Sequence, residues 1–290
     1  MTVATPVKKR RRKIGKTPWG TYAVLSVLVV LFLFPVYYLI VGSLEPVDQA
    51  LNGFHAAVPT HLSFANYSTL NAAFFSSTIT GSLKGFYTVS TLVSLIVVGG
   101  GLIVNSLAGY GLARLQFRGR RPLLLLVIVL VIIPFEAIAI PLYYMLSGLR
   151  NTLVVQAIPF IGSAFSIYLF YTFFLALPPQ LEEAAKIDGA GPWRTFVQII
   201  LPNAKPAFAS VAILSFIQIW SSYLWPLLTT SQPNFYPLSV AIGNLVKQQA
   251  TPNYGEMFAF GVLLVVPMAI FFIIFQRWFI RSVASLAVKG

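Results

Sequence analysis

The chain has 290 residues, of which 57% are hydrophobic and only 9% charged, with a formal net charge of +13. A soluble domain carries about 25% charged residues, so there are too few here to solvate a globular surface, and the mean hydropathy of +0.80 points to a bilayer. A cytosolic enzyme is excluded, and with no cysteine there is no disulfide framework, zinc–thiolate site or cysteine nucleophile.

Residues 1–21 form a basic tail holding Lys8, Lys9, Arg10, Arg11, Arg12, Lys13 and Lys16. The uncharged run 22–44 is longer than the core of a secretory signal, about 7–15 residues, and no convincing small-residue cleavage site follows it. It reads as a retained first span. The stretch 45–84 is more polar. His55 and His61 are too sparse for a metal site and read as surface histidines. Phe64, Tyr67, Leu70, Phe74 and Phe75 recur there at helical spacing, which predicts a short helix lying at the outer membrane surface.

The second span is 85–113, and the third lies between Arg121 and Arg150 with Glu136 as its single charge. The fourth falls within 151–177, the fifth covers roughly 207–228 and the sixth 257–276. The expected class is all-α, a six-helix transmembrane domain over 22–276 with a short tail at 277–290. Barrel strands are excluded because each apolar run far exceeds the roughly ten residues a strand needs. Pro35, Pro134, Pro141, Pro159 and Pro267 lie in or near spans, where kinks at a path or ordinary packing kinks serve equally well.

With the N-terminus placed in the cytoplasm, Lys84, Arg150 and Lys247 are the only ones of the 20 Lys and Arg residues on the outside. That bias is a positive-inside signal. It puts both termini inside and explains the positive charge as topology rather than nucleic-acid binding.

The inner loop 178–205 is the most informative stretch. Pro178 and Pro179 suit the first turn of a helix, with Glu182 and Glu183 near the positive end of its dipole. Gly189 can take the left-handed conformation that ends a helix. Pro192 suits the start of a second helix, and Pro202 is expected to stop it. Glu182, Glu183 and Asp188 face only Lys186, whereas helices that rest on the anionic inner leaflet are rich in Lys and Arg. The acidic loop therefore points to a protein partner.

Glu183-Ala184-Ala185, Asp188-Gly189-Ala190, Phe196, Ile199 and Leu201-Pro202 resemble the EAA loop of ABC-importer permeases, in the pattern EAA-x2-DGA-x5-F-x2-I-x-LP. The resemblance covers most of the chain and is greatest to the carbohydrate-uptake, maltose-type branch. Pro59 with Asn66-Tyr67 resembles its outer loop. Arg114 through Phe117-Arg118-Gly119-Arg120 resembles its first inner loop, Trp220 to Leu227 its fifth-span signature, and Val288-Lys289-Gly290 its C-terminus. The chain departs from the family at Gly81 or Ser82 and at Ser221-Ser222, where members often carry Asn.

The resemblance implies a type I importer permease in a bacterial or archaeal inner membrane, moving a carbohydrate or sugar derivative. It implies four kinds of partner: a homologous second permease, two ATP-binding subunits that hold ATP and Mg, an extracytoplasmic binding protein and the lipid bilayer. No cofactor is expected on this chain. Gly15-Lys16-Thr17 is not a phosphate loop, because Arg10 stands where its first glycine belongs. Glu183, Ala184, Ala185, Asp188, Gly189, Ala190, Phe196, Leu201 and Pro202 are the expected coupling residues. Substrate-path candidates are Glu136, Tyr143, Tyr144, Trp220, Ser221, Ser222 and Tyr223, which offer hydroxyls and stacking faces, although aromatics near helix ends also serve as interfacial anchors. A charge inside a span is a functional candidate. For Glu136, a place at the path or gate, a structural bond to a neighbouring helix or subunit, and proton coupling all stand. The last belongs to an alternative class, a proton-coupled secondary transporter. An intramembrane enzyme lacks support, since no span shows paired carboxylates, a metal-ligand cluster or a Ser/His pair.

Overall fold

The computed structural model describes residues 19–45, 62–76, 82–248 and 253–287. The basic tail, His55, His61, Pro59, Gly81 and residues 288–290 lie outside the described residues, as do the side chains of Phe74, Phe75 and Arg281. All regular structure among the described residues is helical.

Helix α1 (Trp19–Ser43) is apolar on every side, and only its last residues, Val41 to Ser43, are buried. Helix α2 (Ala65–Ser76) forms where the apolar spacing predicts a helix. One face of it packs on the rest of the protein at Leu70, while Phe64 just before it is exposed. Leu70 is buried with Phe86, Trp220, Leu238, Ala259 and Phe260. Asn66 is wholly buried and donates to the carbonyls of Ser43 (3.0 Å) and Glu45 (2.7 Å), groups that the end of α1 leaves without intrahelical partners.

Helix α3 (Leu83–Arg114) is the spine. It starts at Ser82, whose hydroxyl accepts from Gly85 N at 3.0 Å. Three buried clusters are strung along it, one at Phe86, one at Val89, Val93 and Val97, and one at Tyr110 and Ala113. A left-handed Gly119 (φ 92) turns the chain into α4 (Arg120–Ile132). The third predicted span is not one helix: after Ile133 and Pro134 the axis bends by 101° into α5 (Phe135–Met145). Proline lacks the donor that would continue the ladder, and it biases the preceding residue towards extended backbone. A single 3-10 turn, Ser147–Leu149, follows.

The fourth span is α6 (Leu153–Ile161) and α7 (Ala164–Ala176), interrupted at Gly162-Ser163. Asn105 of α3 bridges the interruption, donating to Ile161 O (2.9 Å) and accepting from Ser163 N (3.0 Å). The inner hairpin contains α8 (Gln180–Ile187), α9 (Pro192–Thr195), a π-helical turn Phe196–Ile200 and α10 (Leu201–Asn203). The chain then bends by 77° into α11 (Lys205–Trp220). The second hairpin helix ends at Asn203, within one residue of the stop expected at Pro202. One expectation is corrected here. The fifth span ends at Trp220 rather than near Leu228, and α12 (Leu224–Thr229) is a separate short helix.

A 3-10 turn at Pro233–Phe235 leads to α13 (Leu238–Gln248), which was not anticipated, and α14 (Tyr254–Ala287) outlasts the predicted sixth span at both ends. By length and composition, Trp19–Ser43, Leu83–Arg114, Leu153–Ala176 and Tyr254–Trp278 can each cross a bilayer, and six crossings are reached only if each bent pair counts as one.

Helix α3 touches α7 closely at Gly109, where an added Cβ would sit 2.6 Å from Phe170 Cβ and 3.1 Å from Ile167 O. Gly109→Ala is therefore expected to force the helices apart and cost about 1–3 kcal/mol, seen as a lower unfolding temperature of the detergent-solubilised protein. Gly99→Ala, on the same helix with no atom within 4 Å, is the comparison, expected to be neutral or up to about 1 kcal/mol stabilising.

Candidate functional site

The hairpin 178–205 is built on punctuation. Helix α8 ends in a Schellman motif: Ala190 N donates to Ala185 O (2.9 Å) and Gly189 N to Lys186 O (3.0 Å), with Gly189 at φ 71. Pro192 opens α9 at its first turn as expected. The underside is a core, where Phe196, Ile200 and Ala204 pack with Tyr110 and Phe174. The Tyr110 and Phe196 ring centroids are 5.0 Å apart.

The motif residues divide into two sets. Ala185 and Phe196 are buried and hold the hairpin together, and Ala190 and Ile199 are half-buried. Glu183, Ala184, Asp188, Gly189, Leu201 and Pro202 are exposed. Between them stand two large apolar side chains absent from the sequence expectations, Ile187 at 86% exposure and Trp193 at 67%. An isoleucine at the last turn of α8, with only Ala184 and Glu183 at i−3 and i−4, was the available signal.

A second feature is a cavity of about 350 Å³ between α3, α5, α6 and α11. It brings together three of the substrate-path candidates, Glu136, Ser222 and Tyr223, with Ser163, Ser215, Gln218 and the rings of Phe135, Phe160 and Trp225. Glu136 sits in the first turn of α5, where the bend at Pro134 aims the positive end of the helix dipole. Tyr223 packs its hydroxyl end against Gly243 of α13, so the unanticipated helix positions it. Ser215, Gln218, Ile219 and Ser222 follow the i, i+3, i+4, i+7 rule, a polar stripe on an apolar helix that was readable in the sequence.

The remaining candidates lie elsewhere. Trp220 is buried, with its indole N–H donating to Leu264 O at 2.9 Å. Ser221 donates to Ile217 O within its own helix (2.7 Å). Tyr143 and Tyr144 meet edge to face, and the Arg150 guanidinium lies 5.2 Å over the Tyr143 ring. Among the described residues, no group of three or more acidic or histidine side chains is placed to hold a metal ion.

Residues 101–285 match the family described as the inner membrane component of binding-protein-dependent transport systems. The chain belongs to that family. It is 31% identical over 274 residues to the arabinooligosaccharides transport system permease protein AraQ of Bacillus subtilis (strain 168), covering 91% of this chain and 92% of the relative. The lactose transport system permease protein LacG of Rhizobium radiobacter is 28% identical over 263 residues (90% and 93%). The sn-glycerol-3-phosphate transport system permease protein UgpE of Agrobacterium fabrum is 27% identical over 278 residues (94% and 98%). In fold, the chain superposes with a TM-score of 0.77 on a chain of a bacterial ABC transporter that imports the acidic polysaccharide alginate, at 22% identity, covering 95% of this chain and 100% of that one.

For this permease, an accessible cavity would make a labelling pattern that needs no knowledge of the cargo. The native chain has no cysteine, so single substitutions report alone. Ser215→Cys and Ser222→Cys are expected to react with a small polar thiol reagent at least about tenfold faster than Ile213→Cys, a position 2% exposed on the same α11.

Proposed function

We propose that this permease is one of two homologous membrane subunits of an ATP-driven importer for a carbohydrate or sugar derivative, and that the hairpin 178–205 receives the work of a separate ATPase. The observation that carries this reading is the surface of the hairpin. Ile187 and Trp193 expose apolar area beside Glu183 and Asp188, on a loop held rigid by its own buried core. Exposed apolar groups rimmed by charge mark a protein-binding face, and the acid content disfavours an anionic leaflet. Two ATP-binding subunits would hold ATP and Mg and each receive one such hairpin. A binding protein outside would deliver the cargo.

The positive-inside bias supports cytoplasmic termini and a cytoplasmic hairpin in a bacterial or archaeal plasma membrane. In domain terms, the basic tail 1–21 and the tail 277–290 flank a permease unit over 22–276. The sugar class is supported by the names of the relatives and by the cavity lining, in which hydroxyls, an amide, one carboxylate and four aromatic rings converge. Such a mixture suits hydroxyl-rich faces and apolar edges of a sugar. Glu136 is assigned to this path.

The decisive experiment uses Ala184→Cys in the assembled importer. Ala184 is exposed whereas its neighbour Ala185 is 2% exposed, so a short thiol cross-linker is expected to join Ala184→Cys, but not Ala185→Cys, to the ATPase subunit. Absence of that product, or labelling of Ala184→Cys only from the outer face, refutes the proposal. The hairpin's shape is tested by Gly189→Val. An L-residue in left-handed backbone costs about 1–2 kcal/mol, and with nothing within 4 Å of the added Cβ the effect is strain rather than collision. Uptake is expected to fall more than tenfold while ATP hydrolysis and membrane insertion persist.

A further inference from the structure

The side chain at the end of α3 gathers three elements into one joint. Arg114 donates from Nε (3.1 Å) and Nη2 (2.6 Å) to Phe174 O, and from Nη2 to Leu177 O at 2.7 Å, so it caps the last turn of α7. The same guanidinium pairs with Glu182 in the first turn of α8, Nε to Oε1 at 3.4 Å, with both side chains almost covered at 11% and 13% exposure. One turn earlier on α3, the Tyr110 hydroxyl donates to Pro192 O at the start of α9 (3.4 Å). Both hairpin helices are thus tied to the last turn of α3.

The ties differ in kind. The bonds to α7 are directed hydrogen bonds. The contact with Glu182 is at ion-pair distance without hydrogen-bond geometry at Oε1. Beside it lies a space of about 160 Å³ that Lys186 and Thr195 also line. The α8 end of the joint therefore has room to move, whereas the α3–α7 end does not. Val97, on the wall of the translocation cavity, lies on α3 seventeen residues before Arg114, about 25 Å along a helix.

We propose that Arg114 is the positioning residue of energy coupling, with Glu182 as its lever arm. Displacement of the hairpin pulls Glu182, the buried pair carries the pull to the clamped ends of α3 and α7, and α3 delivers it to the cavity wall at Val97. This rests on the reading of the hairpin as the ATPase contact. Glu183 faces outward and has no part in the joint, so the two adjacent glutamates have separate tasks.

The test uses the complete importer in membrane vesicles and needs no cargo. The readouts are the Ala184→Cys cross-link to the ATPase subunit, ATP hydrolysis, and the thiol-labelling rate of Ser222→Cys with and without ATP, Mg and vanadate. In the parent, nucleotide is expected to change the labelling rate about fivefold. In Glu182→Gln, which keeps the volume and leaves the caps on α7 in place, the cross-link and hydrolysis are expected to remain while the nucleotide effect shrinks below about twofold. Arg114→Lys, which keeps the charge but loses the planar fork, is expected to do the same. A full nucleotide effect in Glu182→Gln with the cross-link intact overturns the proposal. Loss of the cross-link in that variant alone also overturns it, since Glu182 would then only hold the docking pose. Absence of the cross-link in the parent defeats the underlying reading, and the proposal with it.

Discussion

Inside a bilayer no water is at hand for a backbone group, so every interruption of a helix must be answered by a neighbour. This permease meets that demand with side chains at three of its interruptions. Pro159 in α6 leaves the Val155 carbonyl without its usual donor, and the Trp225 indole supplies one at 2.8 Å. Pro267 in α14 does the same to Leu263, and the Tyr87 hydroxyl donates there, with Trp220 taking the next carbonyl, Leu264. Asn105 serves both strands of the break between α6 and α7. The side chains that hold the breaks come from α3 or from the α11–α12 corner. That is why α3 can act as a spine while the helices around it bend.

The same demand explains what could and could not be read from the sequence. Long uncharged runs announce spans because nothing else tolerates them, and the Pro and Gly punctuation of the hairpin announced its two helices and the left-handed turn at Gly189. The bends were not legible. A proline in a span predicts a freed carbonyl, but whether the axis kinks slightly or turns by 101°, as at Pro134, depends on which donors lie nearby. Helix α13 was lost in a stretch taken as outer loop, although Leu238, Val240 and Ala241 are buried there.

Within the site, residue type was a weaker guide than position. Trp220 and Tyr223 are both aromatic and three residues apart, yet one answers a backbone carbonyl in the core and the other lines the cavity. Ser221 and Ser222 are adjacent, and only the second reaches that space. The stripe Ser215, Gln218, Ser222 shares the cavity wall through its spacing. In the hairpin the motif's conspicuous residues proved to be partly scaffold, with Ala185 and Phe196 buried beneath, while Ile187 and Trp193 supply the exposed apolar area.

Glu136 stands at an open edge of the described structure. It is exposed in the isolated chain, on the rim of a cavity whose other polar groups are neutral. Facing lipid, a carboxylate near mid-span costs at least about 2.5 kcal/mol, so such groups turn to a bundle interior or a water-filled cavity. Nothing within the described chain closes over it, and α4 beside it has no buried residue. A second permease set against this face would supply the missing wall and keep the carboxylate in an aqueous path. On that proposal the bend at Pro134 has a purpose, because a straight third span would keep the first turn of α5 on the axis of α4 instead of turning it aside by 101°.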